Sequence, residues 1–183
     1  VLATGAAALS SWSLAGSQAA AFDQSATRVW KPCSDRQIRL GIAGNGHCRF
    51  GTSFRFEEHP NIDVVAVTDL FPDRCADLAR AVRCDTTYES LEALVKDTTV
   101  EAVFIATDAP SHARHAILAM EHGKHVGTAV PAFFGNLDDA RHLLETVKAT
   151  GQTYMMFETS WFRPECCAMR SLYRAGALGA LRY

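Results

Sequence analysis

Short apolar segments alternate with amphipathic segments from residue 38 onwards, and this alternation limits the folds open to the chain. The apolar segments lack the polar alternation of half-exposed strands, so they are typical of parallel strands covered on both faces. They span residues 38–43, 62–68, 102–106, 125–128 and 153–157. Because strand and helix patterns alternate throughout, the sequence predicts an α/β fold with a doubly wound parallel sheet.

The segments between the predicted strands have helical periodicity and helix end signals. A helix over residues 72–82 begins with Pro72, where the missing N–H does no harm. A helix over residues 111–122 ends at Gly123, and a helix over residues 137–150 lies between Asn136 and Gly151. The apolar residues expected to face the core are Ala113, Ala116, Ile117 and Met120 in the first of these two, and Leu137, Ala140, Leu144 and Val147 in the second.

Both ends of the chain differ in character from this α/β region. Residues 1–22 carry no charge and are rich in Ala, Ser and Gly, which is typical of the core and cleavage region of a signal peptide. We therefore expect an exported, periplasmic or extracytoplasmic protein, with a cytoplasmic one as the alternative, and no stable membrane span. Residues 23–37 are interpreted as a linker, residues 38–157 as the α/β domain, and residues 158–183 as the start of a truncated second domain.

The composition favours a small-molecule ligand. The formal net charge is -2, and no run of Lys or Arg suggests contact with nucleic acid. The six cysteines show neither a CxxC pair nor zinc spacing, so we interpret them as separate thiols.

A glycine turn directly follows the first predicted strand, in the sequence IRLGIAGNGH. Gly44, Asn45 and Gly46 would let the backbone bend tightly and approach a pyrophosphate. The GxGxxG fingerprint requires a third glycine at position 49, which is Arg49 here, while Gly51 follows two residues later. The sequence thus indicates a dinucleotide-binding turn that is longer by two residues, with a simple glycine turn as the alternative.

An acidic residue ends the second predicted strand, VVAVTDLF. Asp69 would accept hydrogen bonds from the adenosine ribose hydroxyls and repel a 2′-phosphate. The glycine turn and Asp69 together predict a Rossmann domain that binds NAD in preference to NADP. Asp69 as a simple turn residue ahead of Pro72 remains the alternative.

Polar residues also follow the strand at residues 102–106, in the sequence ATDAPSHARHA. Thr107, Asp108 and His112 are expected at the carboxyl edge of the sheet, where doubly wound proteins bind ligands. His112 and His115 are three residues apart and could share a helix face, but no third ligand has suitable spacing, so no metal site is predicted.

From residue 38 onwards, the chain resembles the glucose-fructose oxidoreductase / inositol dehydrogenase family of NAD(P)-dependent enzymes. The resemblance rests on IRLGIAGNG, VVAVTDLFPDR, VEAVFIATDAPSHARHAILAMEHGKHV and the closing YMMFETSWFRPECCAMRSLYRAGALGALRY, in this order. It implies a Rossmann domain followed by a second α/β domain that builds the substrate site and often the oligomer interface. The helix expected over residues 164–175 would connect the two domains.

This chain departs from the family pattern after GKHV. Family members usually have Glu-Lys-Pro there, with the lysine near the nicotinamide, whereas this chain has Ala129, Val130 and Pro131. Valine cannot donate a hydrogen bond or transfer a proton, so Val130 cannot take the role of that lysine, while cofactor binding is still expected. No catalytic residue is assigned. The variant, with the downstream YMMFE, is similar to a branch of NAD-dependent glycoside hydrolases that oxidise a sugar transiently and then reduce it back.

The resemblance gives three functional hypotheses. The first is an NAD(H)-binding oxidoreductase-family protein acting on a sugar, polyol or related carbohydrate derivative. The second is an NAD-dependent glycoside hydrolase, and the third is a catalytically silent NAD-binding protein. The predicted cofactor-binding residues are the same in all three: Gly44, Asn45, Gly46, Asp69, Thr107, His112 and Pro131. Glu158 either lines the cleft between domains or is a solvated hinge charge.

Overall fold

The computed structural model describes residues 31–46, 49–160 and 163–180. Its six strands are β1 Ile38–Ala43, β2 Ile62–Thr68, β3 Thr87–Tyr88, β4 Ala102–Ile105, β5 His125–Ala129 and β6 Tyr154–Phe157. They pair in parallel in the order β3-β2-β1-β4-β5-β6. The order changes direction between β1 and β4, so the predicted doubly wound Rossmann sheet is confirmed.

Helices connect the strands on both sides of the sheet. They are α1 Phe50–Ser53, α2 Pro72–Val82, α3 Leu91–Leu94, α4 His112–Glu121, α5 Leu137–Thr150 and α6 Pro164–Arg174, with 3₁₀ turns at Phe56–Glu58 and Ala109–Ser111. The predicted helices agree with α2, α4, α5 and α6 to within one residue at each end. The sequence did not indicate β3 or α3, because elements of two and four residues are too short to show a period.

Helix α5 has the end groups that the sequence predicts. The side-chain oxygen of Asn136 accepts a hydrogen bond from the Asp138 N–H at 3.0 Å, which satisfies one of the free donors of the first turn. Gly151 ends the helix with a φ of 67°, a left-handed conformation that favours glycine.

The predicted buried stripe of α5 was partly wrong, because Val147 packs against the core but Leu137 and Leu144 do not. Leu137 and Leu144 are exposed to 74% and 53%, whereas Leu143 and Thr146 are buried. Two leucines are adjacent at residues 143 and 144, so a stripe through either one fits the helical period. Packing of α5 against α4 places Leu143 in the core. In α4 the expected residues Ala113, Ala116, Ile117 and Met120 are all buried.

The core has two parts, one on each face of the sheet, because successive side chains of a strand point to opposite faces. Val103 and Ile105 of β4 pack with residues of α3, α4 and α5. Phe104, between them, packs on the other face with Ile42 and Leu78. An aromatic cluster extends this second part: the Phe104 ring lies 5.3 Å from Phe54, 4.9 Å from Phe56 and 5.3 Å from Phe157, measured between ring centroids.

Buried Asn61 ties the segment before β1 to the domain. Its side-chain amide donates to the carbonyl oxygens of Ser34 at 2.7 Å and Arg36 at 2.6 Å, and its oxygen accepts the Cys33 N–H at 2.8 Å. The end of the predicted linker therefore contacts the Rossmann domain, and the domain boundaries stay predictions. The signal-like segment 1–22 and the last three residues, 181–183, lie outside the described residues.

Across the part of the chain that the structure describes, no helix has both the length and the apolar character needed to cross a membrane.

Candidate functional site

A cavity of about 530 Å³ opens at the carboxyl ends of β1, β2 and β4. Four of the predicted cofactor residues line it: Gly44, Gly46, Asp69 and Thr107. The remaining walls come from the segment that begins α2, from α3 and from the start of α4, including Leu70, Phe71, Arg74, Glu92, Ser111 and His115. The cavity therefore lies where strand order reverses, which is the position at which doubly wound sheets bind ligands.

The glycine turn packs directly on the end of β4. Gly44 and Gly46 have φ angles of 84° and 63°, in the left-handed region that favours glycine. A Cβ on Gly44 would lie 2.8 Å from the carbonyl oxygen of Ala106. The positive φ angles and the close approach to Ala106 both exclude side chains at positions 44 and 46. Backbone groups therefore form this wall of the cavity.

Gly51 takes the packing role of the third glycine in the fingerprint. Arg49, at the position of that glycine, adopts a φ of 54° and precedes the single turn of α1. Gly51 is buried, and a Cβ there would lie 2.4 Å from the carbonyl oxygen of Gly44. The close contact between turn and helix is thus made two residues later, in agreement with the longer turn expected from the sequence.

Asp69 joins the glycine turn to the end of β2. One carboxylate oxygen accepts the Asn45 N–H at 3.0 Å, and the other accepts the Phe71 N–H at 3.0 Å. Each carboxylate oxygen can accept more than one hydrogen bond, so both keep the capacity to accept from a ligand hydroxyl. Asp69 therefore shapes the turn and also presents negative charge to the cavity.

Thr107 and His115 form a pair in the wall of the cavity that the sequence did not indicate. The Thr107 hydroxyl oxygen and the His115 Nδ1 are 2.9 Å apart. Burial lowers the pKa of His115, and the nearby Arg114 lowers it further, so the ring is neutral at neutral pH. The only sequence signal for His115 was its spacing from His112, and that spacing suggested a metal.

His112 and Pro131 lie behind the cavity wall. His112 is 2% exposed, and its ring nitrogens lie 2.7 Å from the carbonyl oxygen of Pro131 and 3.1 Å from that of Thr107. The peptide bond between Val130 and Pro131 is cis. His112 links the end of β4 to the segment after β5, and direct contact of His112 or Pro131 with a cofactor stays a prediction.

A second, more basic cavity of about 600 Å³ adjoins the first and shares Gly46 and Arg74 with it. Asn45 lies in its wall together with Arg49, Thr52 and Arg80. Arg80 forms an ion pair with Asp77 at 2.5 Å, and the Arg74 guanidinium lies 4.7 Å from the centroid of the Phe71 ring. The sequence did not indicate this group of arginines, because Arg49 precedes α1 whereas Arg74 and Arg80 belong to α2.

Within residues 31–46, 49–160 and 163–180, no group of three or more His, Cys, Asp or Glu side chains could hold a metal ion. The cysteines described there are free thiols: Cys33, Cys75, Cys84, Cys166 and Cys167.

Glu158 follows β6 and is exposed. Its carboxylate accepts the Ser160 N–H at 2.6 Å, and this hydrogen bond lowers the pKa of Glu158. It does not line either cavity. Both interpretations of Glu158, as a cleft residue and as a solvated hinge charge, stay open.

The fold and the cavity define a dinucleotide-binding Rossmann domain. Residues 38–158 match the oxidoreductase family with an NAD-binding Rossmann fold that includes glucose-fructose oxidoreductase and inositol dehydrogenase, so the chain belongs to this family. The resemblance inferred from the sequence is confirmed, and the fold is of the NAD(P)-binding type.

Relatives of two kinds are similar to this chain. Glycosyl hydrolase family 109 protein 1 of Bacteroides fragilis is 34% identical over 130 residues, which cover 66% of this chain and 28% of that protein. Trans-1,2-dihydrobenzene-1,2-diol dehydrogenase of Bos taurus is 30% identical over 147 residues, covering 79% of this chain and 44% of that protein. The chain thus spans less than half the length of either relative.

Among solved structures, an NAD-binding protein from Listeria innocua has the same fold. It superposes with a TM-score of 0.70 at 25% identity, over 79% of this chain and 42% of that one.

Proposed function

We propose that this chain binds NAD(H) in the 530 Å³ cavity and belongs to an exported enzyme that acts on a sugar, polyol or related carbohydrate derivative. The observation that carries the proposal is the convergence of the glycine turn, Asp69 and Thr107 on that one cavity. The backbone of residues 44–46 would face the pyrophosphate, and Asp69 would accept from the adenosine ribose. Thr107 and His112 are assigned to the nicotinamide side, with the Thr107 hydroxyl next to the phosphate that carries the nicotinamide ribose. The bound dinucleotide would supply hydride transfer.

The position of Asp69 favours NAD over NADP, because its charge would repel a 2′-phosphate. Arg74, which lines both cavities, and Arg49 of the adjoining cavity act in the opposite direction by attracting anions. The Asp69 carboxylate accepts the Asn45 N–H directly and lines the 530 Å³ cavity, where the adenosine ribose is proposed to bind. We therefore expect NADH to bind more tightly than NADPH.

Titration of the full-length protein with NADH and NADPH, beside Asp69→Ala, tests this assignment. Asp69→Ala removes hydrogen bonds to a charged acceptor, so we expect it to weaken NADH binding by about ten- to a hundredfold. The affinity for NADPH should fall by a smaller factor. Asp63→Ala is the matched control, because Asp63 lies on the same strand at the opposite edge of the sheet. Equal NADH affinity in Asp69→Ala and the native protein, with both folded by circular dichroism, would refute the role of Asp69.

A glycoside hydrolase is the second candidate, and the similarity to glycosyl hydrolase family 109 proteins favours it. Val130 supports this candidate as well, since it cannot replace the lysine that the resemblance implies for ordinary hydride chemistry. Such an enzyme would oxidise the sugar, eliminate the glycosidic leaving group, add water to the resulting double bond and reduce the sugar again, so NAD⁺ would be regenerated in each cycle.

Turnover by the full-length protein separates the candidates. The protein would be incubated with NAD⁺ and a panel of polyols, free sugars and aryl glycosides. Net formation of NADH identifies a dehydrogenase, whereas release of the aryl group without net NADH identifies the hydrolase. Tight NADH binding with neither reaction across the panel supports the catalytically silent protein.

Export is a separate part of the proposal and rests on residues 1–22 alone. Expression of the complete reading frame, followed by cell fractionation and N-terminal sequencing, tests it. A protein in the extracytoplasmic fraction that begins near residue 22 supports export, and an uncleaved cytoplasmic protein contradicts it.

A further inference from the structure

We infer that His115 is a positioning residue for the dinucleotide: in its protonated form it turns the Thr107 hydroxyl toward a phosphate oxygen, so that binding takes up a proton. This inference rests on the proposed binding of NAD(H) in the same cavity. It assigns to the Thr107–His115 pair a role in cofactor affinity that depends on pH.

Two distances place the pair where a phosphate would bind. The His115 Nδ1 lies 2.9 Å from the Thr107 hydroxyl oxygen, and both residues line the cavity. The Thr107 Cα is 3.0 Å from the position a Cβ would take on Gly44. Thr107 therefore adjoins the turn that would hold the pyrophosphate, and His115 contacts the Thr107 hydroxyl within the same cavity.

The direction of the Thr107–His115 hydrogen bond depends on the charge of the imidazole. When the neutral ring carries its proton on Nε2, Nδ1 accepts and the Thr107 hydroxyl donates to it. The hydroxyl proton is then unavailable to an anion. When a proton from solvent binds Nδ1, the N–H donates to the Thr107 oxygen, and the hydroxyl proton turns toward a phosphate oxygen.

The groups around His115 have opposite effects on its pKa in the free protein. Arg114 and His112, on the same helix, lower the pKa of His115, while Asp108 after β4 and Glu92 of α3 raise it. Burial is the largest influence and lowers the pKa, so the ring starts neutral at neutral pH. A bound pyrophosphate stabilises the imidazolium and raises this pKa, and linkage then requires that affinity increases as pH falls.

Calorimetric titration of the full-length protein with NAD⁺ tests the inference. We expect affinity to increase about three- to tenfold between about pH 8 and about pH 5.5, the range over which a histidine with a lowered pKa titrates. Repeating the titration in two buffers of different ionisation enthalpy counts the protons taken up on binding. The pyrophosphate keeps both negative charges throughout this range, so protons taken up belong to the protein.

Variants assign the proton to His115. His115→Asn keeps a polar partner for Thr107 but cannot titrate, so the pH dependence and the proton uptake disappear. Thr107→Val removes the hydroxyl and also loses most of the pH dependence, while Thr107→Ser restores it. His122→Asn is the matched control and should keep the pH dependence. His122 directly follows the same helix, its ring nitrogen is hydrogen-bonded to the Leu118 carbonyl oxygen, and it does not line the cavity.

The outcomes separate this inference from the proposed function. Absence of NAD⁺ binding at every pH would overturn both. Tight binding that is independent of pH, or unchanged proton uptake in His115→Asn, would overturn the inference and leave the proposed function intact. If His115→Asn proves unfolded by circular dichroism, the Thr107→Val and Thr107→Ser pair still decides, because a purely structural pair would not change proton uptake.

Discussion

Gly51 lies against the glycine turn with no space for a side chain, although it stands outside the usual fingerprint spacing. Its hypothetical Cβ would approach the Gly44 carbonyl oxygen to 2.4 Å and the Asn45 Cα to 3.0 Å. Both neighbours are backbone atoms that cannot rotate away. The turn that would contact a pyrophosphate is therefore held in place by a residue that does not itself line the cavity.

Replacement of Gly51 by alanine tests this contact. We expect Gly51→Ala to destabilise the domain by about 1–3 kcal/mol, typical of overpacking, and to weaken NADH binding because Gly44 must shift. Chemical denaturation and NADH titration are the measurements. Ser53→Ala, an exposed change in the same helical turn, should alter neither by a comparable amount. If Gly51→Ala keeps the native stability and the native NADH affinity, the turn can shift to accept a side chain at little cost.

Helix α5 shows how packing chooses between two faces that the sequence leaves equivalent. Leu143 is 6% exposed and joins the core on the α4 side of the sheet, while its neighbour Leu144 is 53% exposed. The two side chains are chemically identical and one position apart, so they point about 100° apart around the helix. Their stability contributions should therefore differ sharply.

Alanine substitution at each leucine measures that difference. We expect Leu143→Ala to cost about 2–5 kcal/mol of unfolding free energy, because it leaves a cavity in the core. Leu144→Ala should cost no more than about 0.5 kcal/mol, as is usual for surface positions. Urea denaturation of both variants checks the contrast, and similar losses would mean that α5 is rotated from the orientation described.

At the scale of the whole molecule, the cavity is built by segments that are far apart in sequence. The turn after β1, Asp69 after β2 and Thr107 after β4 meet at one edge of the sheet. A ligand that contacts all of them holds these segments together and binds the folded state only. Occupancy of the cavity should therefore stabilise the entire domain.

Thermal unfolding with and without NADH tests this coupling. At a concentration about 100 times its Kd, NADH should add about 2.7 kcal/mol. For a chain of this length, that corresponds to an increase in Tm of about 5–10 °C. Free nicotinamide, which lacks the pyrophosphate and adenosine, should leave Tm unchanged. A folded protein whose Tm does not respond to saturating NADH would contradict the assignment of the cavity.

The sequence alone determined every described strand except β3, and the longer helices with their ends, because these depend on local periodicity and on capping residues such as Asn136. It also indicated the glycine turn and Asp69, since glycines after the first strand and an acidic residue after the second are the pattern of a dinucleotide-binding fold. Only the tertiary structure decided that Leu143 is buried, that Gly51 supports Gly44 and that His115 meets Thr107. These contacts depend on how helices and turns are rotated and packed against the sheet, and no local pattern in the chain specifies that geometry.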